Sequence, residues 1–207
     1  MKITRFSLLA VFILFLAGCS AMNKKECITA NWHTVGQLDA ERGKPSSNIA
    51  TYGKQCAKHS ITPHQDSYNE GHIEGTKLYC TKDSGFKVGK KGKTYNGICP
   101  TQSEPSFKDG YSIGKEYYAV IKEINSLEYT INRAKKKAKK IIKSVANIKK
   151  EASKSTTTNE RRMALREELI DKRVEAQIVL NDNQAAEVKL AVEEYKYTEL
   201  VKKYGYE

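Results

Sequence analysis

Half of this 207-residue chain lacks the residues that interrupt helices. All four prolines precede Ser106, no cysteine follows Cys99, and after Gly114 the only glycine is Gly205. Such a stretch excludes a turn-rich β fold for that half and leaves long helix as the reading. Long apolar runs are equally scarce. The one of note, "SLLAVFILFLAG" from Ser7 to Gly18, has about 12 residues where a membrane-spanning helix needs about 20. Cysteine-pair metal motifs are missing too. There is no C-x-x-C, and His33, His59, His64 and His72 match no tight ligand spacing, so no metal is expected. A phosphate loop ending at Gly92-Lys93-Thr94 would require glycine where Lys87 stands. No nucleophile arrangement stands out, and Asp66, Glu70 and Glu74 near His72 read as a solvated helix face. No catalytic residue and no cofactor is expected.

What is present begins with a positive start, Lys2 and Arg5, ahead of the short apolar run. That order is the pattern of a secretory signal. The run ends in Leu16-Ala17-Gly18-Cys19, which resembles the signal motif of bacterial lipoproteins. The resemblance implies cleavage after residue 18, diacylglyceryl attachment to the Cys19 sulfur, and residues 19–26 as a lipidated tether. Ser20, in place of the aspartate that retains such proteins at the inner membrane, implies the outer membrane facing the periplasm. Two or more acyl chains give stable anchoring where one does not.

With Cys19 set aside, four cysteines remain: Cys27, Cys56, Cys80 and Cys99. An even set in an oxidising compartment reads as two disulfides. Three connectivities are open, and Cys27–Cys56 with Cys80–Cys99 closes the shorter loops. Eleven of the 13 glycines lie between Gly36 and Gly114, so composition splits the chain near residues 105–115. The expected organisation is a glycine-rich disulfide-bonded domain over 27–106, a long basic helix over 107–153, a linker over 154–159 and a second long helix over 160–204. The fold class is mainly α: a small stapled helical domain, then an antiparallel coiled-coil hairpin.

The small domain contains an internal repeat. "SYNEGHIEGTKLYC" (Ser67–Cys80) and "SFKDGYSIGKEYYA" (Ser106–Ala119) share a serine, an aromatic, two glycines four apart and a tyrosine four further on. Gly71 and Gly75 thus correspond to Gly110 and Gly114, and Gly36 with Ala40 keeps the same step more faintly. Residues four apart share a helix face, and glycine there weakens a helix by about 1 kcal/mol relative to alanine. Such pairs are therefore expected to exist for close packing, giving three short helices joined through glycine faces. The turn signals over Asp83–Cys99 suggest a short β-hairpin or structured loop. The order Cys27, Trp32, Gly36, Asp39, Gly43, Cys56, then Tyr68-x2-Gly71-x3-Gly75-x3-Tyr79-Cys80, then Gly85-x3-Gly89-x2-Gly92-x2-Tyr95-x-Gly97-x-Cys99 resembles an uncharacterised family of bacterial lipoproteins, the domain of unknown function numbered 2799. Ala40 departs from the glycine expected after the aspartate. The resemblance implies an envelope location and no chemistry.

From Tyr117 the apolar positions run Tyr117, Val120, Ile124, Leu127, Ile131, Ala134, Ala138, Ile141, Val145, Ile148 and Ala152, in three- and four-residue steps that predict a coiled-coil seam. After the polar break "SKSTTTN", a second stripe carries Met163, Ile170, Val174, Ile178, Ala185, Val188, Val192 and Tyr195, with Asn181 within it as a register-fixing amide. Folding back sets the lysine-rich helix beside Glu160, Glu167, Glu168, Asp171 and Glu175. Two helices bury only a narrow seam, so a periplasmic protein partner or a homo-oligomer is expected. Net charge is +12, or +10 once Lys2 and Arg5 are removed. Anionic lipid, lipopolysaccharide or cell-wall polymer are candidate partners of the basic helix, and nucleic acid is not. The expected role is structural or interactive at the envelope, with recognition or inhibition of an envelope enzyme or anionic glycopolymer as the alternative.

Overall fold

The computed structural model describes residues 22–206, so the signal-like segment, Cys19 and Ser20 lie outside the described residues. Among the described residues there are seven α-helices, one 3-10 turn and no strand. They are α1 (Lys24–Thr29), α2 (Trp32–Glu41), α3 (Ile49–Ala57), α4 (Gln65–Tyr79), α5 (Lys82–Lys90), α6 (Glu104–Ala152) and α7 (Asn159–Tyr204). The chain divides into two compact units, residues 22–88 with 93–111 and residues 89–92 with 112–206.

In the first unit α1, α2 and α4 each start on a side-chain cap. Asn23 and Glu26 close a reciprocal capping box on α1, Asn31 accepts from the Thr34 amide on α2, and His64 Nδ1 accepts from the Ser67 amide on α4. Such caps satisfy the orphan amides of a first turn. Helices α2 and α4 then cross in direct backbone contact. A Cβ on Gly36 would collide with the Tyr68 carbonyl, one on Gly71 with the His33 carbonyl and one on Gly75 with the Gln37 carbonyl. Hydrogen alone fits at those points.

The same crossing recurs between α5 and the start of α6. A Cβ on Gly85 would collide with the Phe107 carbonyl and one on Gly110 with the Lys82 carbonyl. In both crossings the carbonyl of residue i and the glycine at i+3 on one helix face their counterparts on the other. This corrects two expectations. The segment from Asp83 is no β-hairpin: Lys82–Lys90 is helical, and Gly85 serves a helix contact rather than a turn. And Gly36 is not a third copy of the Gly71 helix but its partner, so the glycine-faced helices form two crossings rather than one group of three.

Each crossing carries one disulfide and one aromatic cluster. Cys27–Cys56 packs with Trp32 and Tyr68, and Cys80–Cys99 packs with Tyr79 and Phe107. Tyr68 and Phe107, fully buried, occupy equivalent places three residues before Gly71 and Gly110. The covalent links close loops of 29 and 19 residues, each adding about 3 kcal/mol by restricting the unfolded chain.

The second unit is an antiparallel hairpin of α6 and α7, 49 and 46 residues long in full; at 1.5 Å per residue each is about 70 Å. Every predicted seam position of α6 from Tyr117 to Ala152 is buried or half-buried, and the lysines off that seam are exposed. The turn is fixed by local polar contacts: Thr158 caps α7, Thr157 Oγ1 donates to the Glu151 carbonyl, and Arg161 bridges Glu151 and Glu168. At the far end Tyr117 donates to the Tyr206 carbonyl and its ring meets Tyr197 edge-on. Gly92 and Tyr118, also in this unit, repeat the contact that Gly43 makes with Tyr79 in the first; both glycines have left-handed backbone, φ +68 and +76.

The second stripe is where the structure departs furthest from the sequence reading. Helix α7 turns Leu165, Val179, Ala186 and Leu190 toward α6. Met163, Ile170, Val174, Ile178, Ala185, Val188, Val192 and Tyr195 are exposed, and Asn181 with them. The physical reason is that the inner face also carries Lys172, Glu175, Asn183 and Glu193. Their polar ends reach partners such as Lys172–Glu175 at 2.7 Å and Lys196–Glu193 at 2.6 Å, which hides its period.

Candidate functional site

The densest polar constellation sits in the first unit around Asp39, on the last turns of α2. Its carboxylate, 2% exposed, accepts from Asn48 Nδ2 at 2.7 Å, Tyr52 OH at 2.9 Å and Tyr68 OH at 3.0 Å, and pairs with Lys44 Nζ at 2.8 Å. Burial by itself would raise the Asp39 pKa. The Lys44 ammonium and the three neutral donors outweigh it and hold the carboxyl below its usual range. Lys44 is raised in turn, chiefly by its bond to Asp39, while burial and then Asp39 raise both Tyr52 and Tyr68.

The turn that delivers Lys44 is clamped from three sides. Gly43 lies against the Tyr79 hydroxyl, its carbonyl accepts from Asn96 Nδ2 at 2.8 Å, and the Lys44 carbonyl accepts from His72 Nε2 at 2.8 Å. A carbonyl can only accept, so Nε2 carries the His72 proton. Four donors on one carboxylate leave no lone pair for a substrate, so this network ties α2, α3 and α4 together rather than moving protons. Asp39 stands in the sequence only as one position of the family pattern, where nothing marks its burial or its donors Lys44, Asn48 and Tyr52.

The acids considered for chemistry do not converge. His72 points inward to Lys44, Asp66 and Glu70 are exposed, and Glu74 meets His33 at 3.5 Å. Among the described residues no group of three or more His, Cys, Asp and Glu is gathered to hold a metal. Of the named glycines, Gly36, Gly71, Gly75 and Gly110 stand at helix crossings, and Gly114 is buried. Cys27, Cys56, Cys80 and Cys99 are paired in neighbouring couples.

The hairpin offers broader surfaces. One groove, about 570 Å³, gathers Arg133, Lys136, Lys137 and Lys140 of α6 opposite Asp182 of α7. Another, about 290 Å³, is apolar, lined by Ala138, Ile141, Ile142, Val179 and Leu180, and the buried Asn183 Oδ1 beside it has no hydrogen-bond partner among the described residues. Away from α6 runs the exposed stripe of α7, on which Ile178 is 53% and Val188 66% exposed. Monomeric proteins seldom leave an apolar row of this length, interrupted here by Asn181, in water. Among the described residues no helix is long and apolar enough to cross a membrane.

Residues 31–116 match the family described as a protein of unknown function, DUF2799, the family that the glycine and aromatic spacing of this segment resembles. The match takes in α2 to α5 and the first turns of α6 and leaves the remainder of the hairpin outside. No curated protein and no solved structure matches the chain.

Proposed function

We propose that this chain is a lipid-tethered envelope protein without catalytic activity, whose hairpin docks a protein partner on the outer face of α7. Attachment through Cys19 to the periplasmic side of the outer membrane accounts for the Leu16-Ala17-Gly18-Cys19 motif and for disulfides as the staple of so small a domain. The observation that carries the docking role is the exposed stripe from Ile170 to Tyr195. Two measurements test the reading. A clickable fatty acid fed to cells should label the protein and fail to label Cys19→Ala. A photocrosslinking amino acid at position 188 should trap a protein in intact cells, whereas one at the exposed Lys154, in the interhelical turn, should not. An unlabelled protein, or equal trapping at both positions, refutes it.

A second reading has its own support. The four cations around Asp182 suit an anionic glycopolymer or lipopolysaccharide headgroup, bound in a salt-dependent way. Replacing Arg133, Lys136 and Lys140 by glutamine should abolish retention on such a polymer and leave crosslinking at position 188 untouched.

A further inference from the structure

The stripe on α7 has one charged flank, the edge nearer α6 on which Glu168 and Glu175 are half-buried, and its charges are ordered. At seven-residue intervals it carries Glu168, Glu175, Asp182, Lys189, Lys196 and Lys203: three acids, then three lysines. The opposite flank at the same spacing is uncharged, with Ile170, Gln177, Gln184, Ala191 and Thr198. Flanking charges of a coiled coil set which partner is taken and in which direction.

We infer that the occupant of the stripe is a second copy of this chain, with α7 packed antiparallel against α7. This rests on the reading that the stripe is a docking face and names its partner. In an antiparallel pair the same flank of both helices meets, so a reversed copy faces acids with lysines. Glu168 then opposes Lys203 of the second copy, Glu175 opposes Lys196 and Asp182 opposes Lys189, and two-fold symmetry makes six such contacts. Moving the register by seven residues in one direction sets Asp182 against Asp182, and in the other Lys189 against Lys189. A parallel copy would face this flank with the neutral one. Only the stated register pairs every charge with its opposite.

In that register Ile178 meets Tyr195 and Ala185 meets Val188 of the second copy. Asn181 lies against Val192 with its Oδ1 already accepting from Gln177 at 2.9 Å, so the amide enters the layer partly satisfied. Arg161, Lys172 and Lys137 now hold Glu168 and Glu175, and Glu193 holds Lys196. Glu168, Lys172, Glu175 and Glu193 are half-buried and the other partners exposed, and ion pairs that still reach solvent exchange at modest expense. The cations of α6 near Asp182 weaken the attraction on that side. The apolar row therefore supplies affinity, and the charges choose the direction.

The test uses the full chain carrying Cys19→Ser. Sedimentation should show a dimer, and Val188→Glu should raise the dissociation constant at least 100-fold with helix content unchanged. Carbodiimide coupling of mixed ¹⁴N and ¹⁵N chains should join Glu168 of one copy to Lys203 of the other. Those residues are 35 positions apart, about 50 Å along one helix, so the amide cannot form within a chain. The variants Glu168→Lys/Glu175→Lys/Asp182→Lys and Lys189→Glu/Lys196→Glu/Lys203→Glu should each lose the antiparallel pairing alone and recover it on mixing. A monomeric parent chain, a dimer indifferent to Val188→Glu, or a dimer lacking the 168–203 link overturns the inference. If position 188 then crosslinks a different protein in cells, the docking face stands and the second copy does not; if it crosslinks nothing, both fall.

Discussion

The two units solve one problem, helix against helix, by opposite means. In the hairpin the helices are held apart by side chains, and Leu127, Ile131 and Ala186 fill the space between. In the first unit side chains are removed at the contact, so that carbonyls of one helix rest on glycines of the next. A glycine crossing buries little apolar area, and glycine also weakens the helices that carry it. The first unit therefore adds what the hairpin has no need of: two disulfides, aromatic rings inserted between elements, and a buried carboxylate that ties three helices. A long hairpin gains from repetition, and a short domain gains from covalent and polar links at few points.

The sharpest way to break that comparison is to remove the staples. Replacing Cys27, Cys56, Cys80 and Cys99 by serine deletes about 3 kcal/mol per disulfide, comparable in sum to the whole stability of a domain this small. Amide exchange over residues 22–88 and 93–111 should then approach that of an unfolded chain, while residues 112–206 keep their protection. Simultaneous loss in both would show that the two units stand or fall together.

The next largest effect belongs to Asp39→Asn. It leaves Lys44 with no carboxylate and replaces one of the two accepting oxygens by an amide NH2 that can only donate, which should cost about 3–5 kcal/mol at neutral pH. The sign of its pH dependence follows from the lowered pKa of Asp39. The folded state binds the proton more weakly than the unfolded state, so the contribution is fully present above about pH 4. It is lost as pH falls through the still lower folded value. Urea midpoints of the parent chain should therefore drop toward those of Asp39→Asn in acid, where the gap between them closes. A constant gap down to pH 2 would mean that Asp39 is not the group being titrated.

Gly71→Ala tests the crossing itself. Its Cβ would meet the His33 backbone, which no side-chain adjustment relieves, so the first unit should lose about 3 kcal/mol. Gly53→Ala in α3 meets nothing within 4 Å among the described residues and should stabilise by up to about 1 kcal/mol through helix propensity. Thermal melts of the two variants on either side of the parent would establish that contact, rather than glycine content, governs this unit. Equal shifts would not fit the crossing.

How much of this was legible depended on whether a residue's type announces its contact. The α6 seam was, because Ile124, Leu127, Ile131 and Ile148 are apolar and every intervening lysine is solvated. So were the glycine steps at Gly71 and Gly110, since two glycines inside a helix have few reasons to exist but packing. Helix α5 was not, because Gly85, Gly89 and Gly92 carry the same letters as turns and only the partner helix tells the uses apart. Asp39 was not, because its donors come from α3, α4 and the turn between α2 and α3, and no local spacing records that convergence.

Helix α7 hides its packing face for a further reason, which a small effect can probe. It has two apolar rows, and the stronger of them faces away from α6. Ile178 and Val179 are neighbours on the two rows, 53% and 6% exposed. In dilute solution, where copies of the chain are apart, Val179→Ser should lower the hairpin's stability by about 2 kcal/mol, while Ile178→Ser should change it by less than about 0.5 kcal/mol. A helix turned by one residue, about 100°, would reverse that order, so guanidinium unfolding of this adjacent pair reports which row α6 covers. Hydrophobicity would rank the isoleucine as the greater loss; only the rotation of the helix makes it the smaller.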